Sequence, residues 1–206
     1  MEELTHIIKK VVPKPKYLFF DTETTGLLPT CNDPINNALR FPRIVQLSWD
    51  FCDVEKDYII KPDGWVIPEA ASRVHGITTA KAKEVGIPIK QALTEFLTDF
   101  VRSAKIIAHN AEFDISIIIS EITRLYGIAE GTRYQRYFQQ APIVDTMLST
   151  IDFVEATFAD GSVGKFPKLE ELYGKLFKET FPAHNAIEDV RALKRCYWEL
   201  VKIKIL

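Results

Sequence analysis

The 206-residue chain is poor in cysteine, with only Cys31, Cys52 and Cys196. An odd and scattered set gives neither a disulfide framework nor the paired spacing of a zinc site. No apolar run approaches the ~18 residues that span a bilayer, the longest candidate being Ile115 to Ile119. Met1-Glu2-Glu3 lacks the basic start and apolar stretch of a signal peptide. These absences set the expectation of a reducing, cytoplasmic location and no membrane association. An excess of one charge is missing as well: 26 Lys+Arg face 28 Asp+Glu, a net of -2. That argues against a basic coat gripping nucleic acid by charge alone. It leaves room for an enzyme whose positive charge is local or carried by metal ions. With 47% hydrophobic and 26% charged residues, a chain of this length buries a core as one domain without staples.

Residues 1–16 form an amphipathic N-terminal arm closed by Pro13 and Pro15, with lysines at 9, 10, 14 and 16. Its bland reading is a solvated arm. Tyr17-Leu18-Phe19-Phe20 reads as a buried strand ended by Thr24-Thr25-Gly26. Residues 28–42, with prolines at 29, 34 and 42 and asparagines at 32, 36 and 37, read as a long loop. Strands are expected over 43–53 and 58–61, continuing the first as an antiparallel meander, and again over 105–108. Helical spacing marks 89–101 and 112–126, the latter capped by Gly127. Shorter helices are expected over 145–151 and 168–177, and a long terminal one over 185–202. Strands first, then a strand–helix mixture, predict an α/β fold with a mixed central β-sheet flanked by helices, in a single domain over 1–206.

The first strand runs into Asp21-Thr22-Glu23. Side chains alternate along a strand, so both acids point the same way. Two such carboxylates repel, and stay ionised cheaply only when a cation bridges them. Hard oxygen ligands suit magnesium or manganese. Asp-x-Glu alone is equally an ordinary polar strand end.

Two further segments change the balance. Residues 109–114 read His-Asn-Ala-Glu-Phe-Asp, and 184–189 read His-Asn-Ala-Ile-Glu-Asp. Asn110 and Asn185 are N-cap candidates, with Glu188 placed for a capping box. Asp114 and Asp189 then sit one turn inside their helices, each with a histidine at the mouth. Either acid alone reads as a complement to a helix dipole; the pattern twice, beside Asp-x-Glu, does not. Acids that hold two divalent ions clamp a phosphodiester and acidify water. A histidine, with an ordinary pKa near ~6.5, is suited to take the proton. His109 and His184 both stand five residues before an aspartate, so spacing does not choose between them.

Three stretches together resemble the DEDDh 3′–5′ exonucleases: Phe20 to Leu27 the first motif, His109 to Asp114 the second, His184 to Asp189 the third. Ser72 to Thr78 and Val144-Asp145-Thr146 resemble stretches between those motifs. The resemblance runs from about residue 17 to 203. It implies a ribonuclease H-like fold and release of nucleoside 5′-monophosphates from a 3′ end. It assigns Asp21, Glu23, Asp114 and Asp189 to two divalent ions, Mg2+ or Mn2+, with His184 as general base. The tyrosine subclass has Tyr where this chain has Asn185, so the histidine subclass fits. His109 is then left to pack or hydrogen-bond at the strand end, and Asp145 to cap a helix-like segment.

The resemblance further places Thr22, Thr24, Gly26, Leu27, His75, Asn110 and Phe113 near the substrate. The backbone of 24–27 would cradle the terminal nucleotide, with Leu27 against the last base. For His75 a structural role at a loop–helix junction is an equal reading. The run Arg133 to Phe138 suits either a single-strand stacking surface or an amphipathic helix packed on the core. The loop 28–42 either borders the groove or is a solvent-exposed elaboration.

The leading expectation is a metal-dependent exonuclease on the 3′ ends of single-stranded DNA, in proofreading or repair trimming, with a DNA polymerase as a candidate partner. RNA is the second substrate. A catalytically silent nucleic-acid or polymerase adaptor, and a phosphodiesterase for small nucleotides, are the rivals. All five positions an adaptor would have relaxed carry the required side chains.

Overall fold

A computed structural model describes residues 15–31 and 33–206. The expectation for the arm therefore falls, over residues 1–14, outside the described residues. The sheet has five strands in the order β3-β2-β1-β4-β5. They are β1 (Tyr17–Thr24), β2 (Ile44–Phe51), β3 (Val54–Ile59), β4 (Lys105–Ala108) and β5 (Ile143–Asp145). β1, β2 and β3 form the antiparallel meander, while β4 and β5 are parallel to β1. The fold is the expected ribonuclease H-like one.

β1 is central, and its alternation builds two cores. Leu18 and Phe20 face α3 (Ile89–Phe100) and α4 (Ala111–Tyr126), joining Trp49, Phe96, Ile117 and Ile118. Phe19 points the other way, into α7 (Leu169–Phe177) and α8 (Ala186–Lys202), with Ile107, Val190, Leu193 and Tyr197. Each such fully buried side chain contributes about 1.5–3 kcal/mol. A small satellite of Val45, Ile67, Ile77 and Ala82 seats the short helices α1 (Glu69–His75) and α2 (Thr79–Val85).

Several boundaries differ from expectation for identifiable reasons. The second and third strands are divided at Cys52 and Asp53, both left-handed (φ 57° and 66°). That is the pair of conformations a tight hairpin turn needs, but the residues are not the Asn-Gly or Asp-Gly that would announce it. β3 therefore begins at Val54, earlier than the expected 58–61. The helix expected over 145–151 is a correction. Ile143–Asp145 is strand, where β-branched Ile143 and Val144 pair with β4. A 3-10 turn at Leu148–Thr150 leads into the one-turn α6 (Ile151–Val154).

The loop 28–42 is docked, not a solvent-exposed elaboration. Ile35, Ala38 and Phe41 are buried, and Arg124 of α4 donates to the Phe41 and Pro42 carbonyls. Arg133 to Phe138 lies within α5 (Ile128–Gln140), with Phe138 buried in the core, so the amphipathic-helix reading holds. Among the described residues no helix is long and apolar enough to cross a membrane.

Candidate active site

β1 pairs with β4 only as far as Phe19↔Ile107. Asp21 to Thr24 thus run past the parallel pairing, beyond the carboxyl end of β4, where α4 begins. The carboxyl ends of such strands are where open α/β sheets place ligands. Asp21 and Glu23 project toward α8, as their alternation predicts. Oxygen atoms of Asp21, Glu23 and Asp189 all lie within 4.8 Å of one another.

Asp114 comes from the other side of the sheet. Its Oδ1 accepts the Thr22 N–H at 3.0 Å and the Thr22 hydroxyl at 2.5 Å. It takes the place of a strand partner on the β4 side, where the pairing of β1 has ended. Asp114 is 3% exposed, yet close enough for its charge to act on Asp21 and Glu23.

This crowding has an electrostatic signature. Burial first, then the charges of Asp114, Asp189 and Glu23, hold the Asp21 carboxyl well above its ordinary value. Burial and the Asp189 and Asp114 charges push Glu23 up to about 8. Burial raises Asp114 and Asp189 to about 7, against the Thr22 bonds in one case and the Asn185 and His184 backbone in the other. Asp21, Glu23 and Asp189, acids that resist ionisation together, fit the donor set for a hard divalent cation, whose charge would relieve that repulsion.

The two asparagines take their predicted positions at the helix starts, but neither side chain caps. Asn110 is left-handed (φ 71°), a conformation asparagine tolerates. Asp145 does the capping instead, its carboxylate accepting from the N–H groups of Asn110, Ala111, Met147 and Leu148. At α8, Asp189 accepts the Asn185 N–H at 3.1 Å, and Gln46 of β2 accepts that of Ala186 at 3.3 Å. Glu188 is not in a capping box; it pairs with Arg191.

The histidines separate. His109 has both ring nitrogens occupied, Nδ1 by the Thr146 hydroxyl and Nε2 by the Pro167 carbonyl, each at 2.9 Å. A carbonyl only accepts, so Nε2 carries a hydrogen. Burial lowers this imidazole's pKa. His184 sits in a left-handed turn (φ 65°) before α8. Its side chain is 53% exposed, with Nε2 3.6 Å from Glu170.

The expected substrate residues fall into three groups. Leu27 is 87% exposed at the mouth of the first motif. Thr22, Thr24 and His75 are buried. The Thr24 hydroxyl donates to the Gly26 carbonyl at 2.7 Å, shaping the turn. His75 accepts the Ile77 N–H on Nδ1 and lies where the Thr24 carbonyl favours a proton on it, against burial, which lowers its pKa. Phe113 packs on the core, and Asn110 is half-buried.

Sequence reasoning passed over Gln46 and Glu121. Each is a buried polar residue flanked by apolar neighbours, Val45 and Leu47 in one case and Ile119 and Ile122 in the other. Glu121, 1% exposed, binds Arg43, Arg124 and the Ile44 N–H, fixing the far end of the first-motif loop.

The family model described as "RNase_T: Exonuclease" matches residues 18–197. A DNA polymerase III subunit epsilon-like protein of Rhodobacter capsulatus is 31% identical over 137 residues, 66% of this chain and 17% of that protein. A PolC-type DNA polymerase III of Caldanaerobacter subterraneus is 25% identical over 91% of this chain and 12% of its own length. Among solved structures, E. coli Exonuclease I in complex with a dA16 oligonucleotide superposes with a TM-score of 0.67 at 20% identity. That match covers 92% of this chain and 41% of that one. The chain thus spans less than half the length of each of these proteins. It belongs to the RNase T family of DEDD exonucleases, enzymes that hydrolyse phosphodiester bonds.

Proposed function

We propose that this chain is a metal-dependent 3′–5′ exonuclease that releases nucleoside 5′-monophosphates from DNA 3′ ends. The observation that carries the reading is the meeting of Asp21, Glu23 and Asp189 within 4.8 Å, with Asp114 held beside them by Thr22. These four would hold two divalent ions, Mg2+ or Mn2+. When bound, such ions neutralise phosphate charge and make water a better nucleophile.

The chain's own residues supply the rest. His184, exposed and at the mouth of α8, accepts the proton of the attacking water. Glu170 lies 3.6 Å from its Nε2. The turn at Thr24 to Leu27, stiffened by the Thr24–Gly26 bond, offers backbone groups to the terminal nucleotide and Leu27 to its base. His75 lies buried near Thr24, and Asn110 and Phe113 flank the sugar side.

DNA is favoured over RNA by the relatives, which are DNA polymerase III components, and by structural neighbours determined with DNA oligonucleotides. The same relatives support proofreading or trimming, with a polymerase as partner, as the biological setting. A balanced surface charge agrees with a site that borrows its grip from cations or a partner.

The test is a time course on 5′-labelled single-stranded and 3′-recessed oligonucleotides, DNA and RNA, with Mg2+, Mn2+ or chelator, beside Asp21→Ala. A metal-dependent ladder from the 3′ end of DNA, absent in the variant, is expected. A ladder on RNA alone would replace the substrate. No cleavage by folded protein under any condition would overturn the enzyme in favour of a silent adaptor.

A further inference from the structure

We propose that Gln46 is a positioning residue that sets the start of α8, and with it Asp189 and His184, against Glu23 of β1. The inference rests on the reading of the acid cluster as a cation site. Gln46 lies in the middle of β2, only 2% exposed, directly opposite Glu23 in the antiparallel register. Paired residues share a face, so its side chain lies on the α8 side with Glu23. There its Oε1 accepts the N–H of Ala186, the first residue of α8, at 3.3 Å, and its Nε2 donates to Asp57 Oδ1 at 2.7 Å.

The two bonds fix the amide's orientation. A carboxylate accepts only and a backbone N–H donates only, so one orientation alone satisfies both partners. Asp57 itself is held in place by a second donor, the Ser48 hydroxyl at 2.7 Å. The result is a chain of bonds from β3 through β2 to the opening turn of α8.

That turn needs an outside acceptor. The Asn185 side chain does not cap it. Further along, α8 is tied to the same hairpin by Arg191–Glu55 and by Lys194 with Asp50 and Asp53. These ion pairs lie downstream of Asp189. Gln46 is therefore the tie that acts where the first and third motifs meet. A buried glutamine satisfied only for stability would predict no effect on the cation.

The test uses the full chain without nucleic acid. Mn2+ binding is measured by calorimetry, and amide exchange at Ala186 by NMR, in wild type, Gln46→Met and Ser48→Ala. Residues that orient ligands from outside typically change metal affinity by about 10–100-fold. Gln46→Met should weaken Mn2+ binding about tenfold and speed exchange at Ala186. Ser48→Ala removes the other bond to Asp57 and leaves the Gln46–Ala186 bond in place, so it should move both readouts by much less than Gln46→Met. Gln46→Asn, one methylene too short to span both partners, should repeat the loss if Gln46→Met does not fold. Wild-type Mn2+ affinity in the Gln46 variants, or equal weakening by Ser48→Ala, would overturn the inference alone. Absence of Mn2+ binding by the wild type would overturn the cation-site reading and the inference with it.

Discussion

Thr22 gives both its backbone N–H and its hydroxyl to a single oxygen of Asp114, 92 residues away. Both bonds favour the ionised carboxylate, opposing the burial that raises Asp114 to about 7. Thr22→Val keeps the shape and removes one bond. The Asp114 pKa should rise further, since a hydrogen bond to the charged form has been lost. Exonuclease activity near neutral pH should fall about tenfold, the equivalent of ~1.4 kcal/mol, and recover as the pH is raised. A pH–rate profile checks this: an acid limb that stays at the wild-type position would refute the coupling.

The same crowding makes a prediction about the metal-free protein. Glu23 is raised to about 8, and Asp114 and Asp189 to about 7. An acid whose folded pKa exceeds its unfolded one binds more protons when folded. Its contribution is fully present below the unfolded pKa near ~4 and is lost as pH rises through the folded value. In chelator, the melting temperature should therefore fall between about pH 5 and 8 on account of these groups. Mg2+ should reverse much of that fall, because it binds the folded acids alone. Asp21→Asn should raise the chelated melting temperature at pH 8 and remove most of the response to Mg2+. Thermal scans at several pH values, with and without the ion, decide it.

Why some of this was legible in the sequence and some was not has a physical basis. The aromatic run before Asp21 and Glu23, and the 3.6-residue spacing in α3, α4 and α8, are local patterns that burial imposes on neighbouring residues. They gave the sheet's centre, both flanking layers and the three acidic segments. The Cys52–Asp53 turn was hidden because its backbone conformation is enforced by the flanking strands and not by turn residues. α1 and α2 are too short for a period to show. The capping of α4 by Asp145 and of α8 by Gln46 joins residues 35 and 140 positions apart. No local spacing encodes such bonds; each asparagine stands at its helix mouth as expected, but its side chain does not supply the cap.

Asp145 illustrates how much one such residue holds. It satisfies four N–H groups, two opening α4 and two in the turn after β5. A lost cap costs about 0.5–2 kcal/mol, so Asp145→Ala should lower stability by roughly 2–4 kcal/mol. At ~2–4 °C per kcal/mol for a chain of this size, that is a fall in melting temperature of roughly 5–15 °C. Asp145→Asn retains one acceptor oxygen and should recover part of it. A melting temperature unchanged in Asp145→Ala would mean that solvent replaces the carboxylate at all four donors.

The two histidines that spacing left equivalent should respond in opposite ways. His109 is buried, with one nitrogen on Thr146 and the other on Pro167. His109→Ala leaves both partners without their bond and should cost about 2–4 kcal/mol of stability. The activity of whatever remains folded should change far less. His184 has a half-exposed side chain whose neighbour is Glu170. His184→Ala should leave the melting temperature within about 2 °C, the range for exposed positions, while kcat falls by at least ~100-fold, as expected when a general base is removed. Added imidazole should restore part of that kcat and none of the stability lost in His109→Ala. If instead His109→Ala abolishes turnover in folded protein and His184→Ala retains it, the proton passes through the second motif, and the role proposed for His184 belongs to His109.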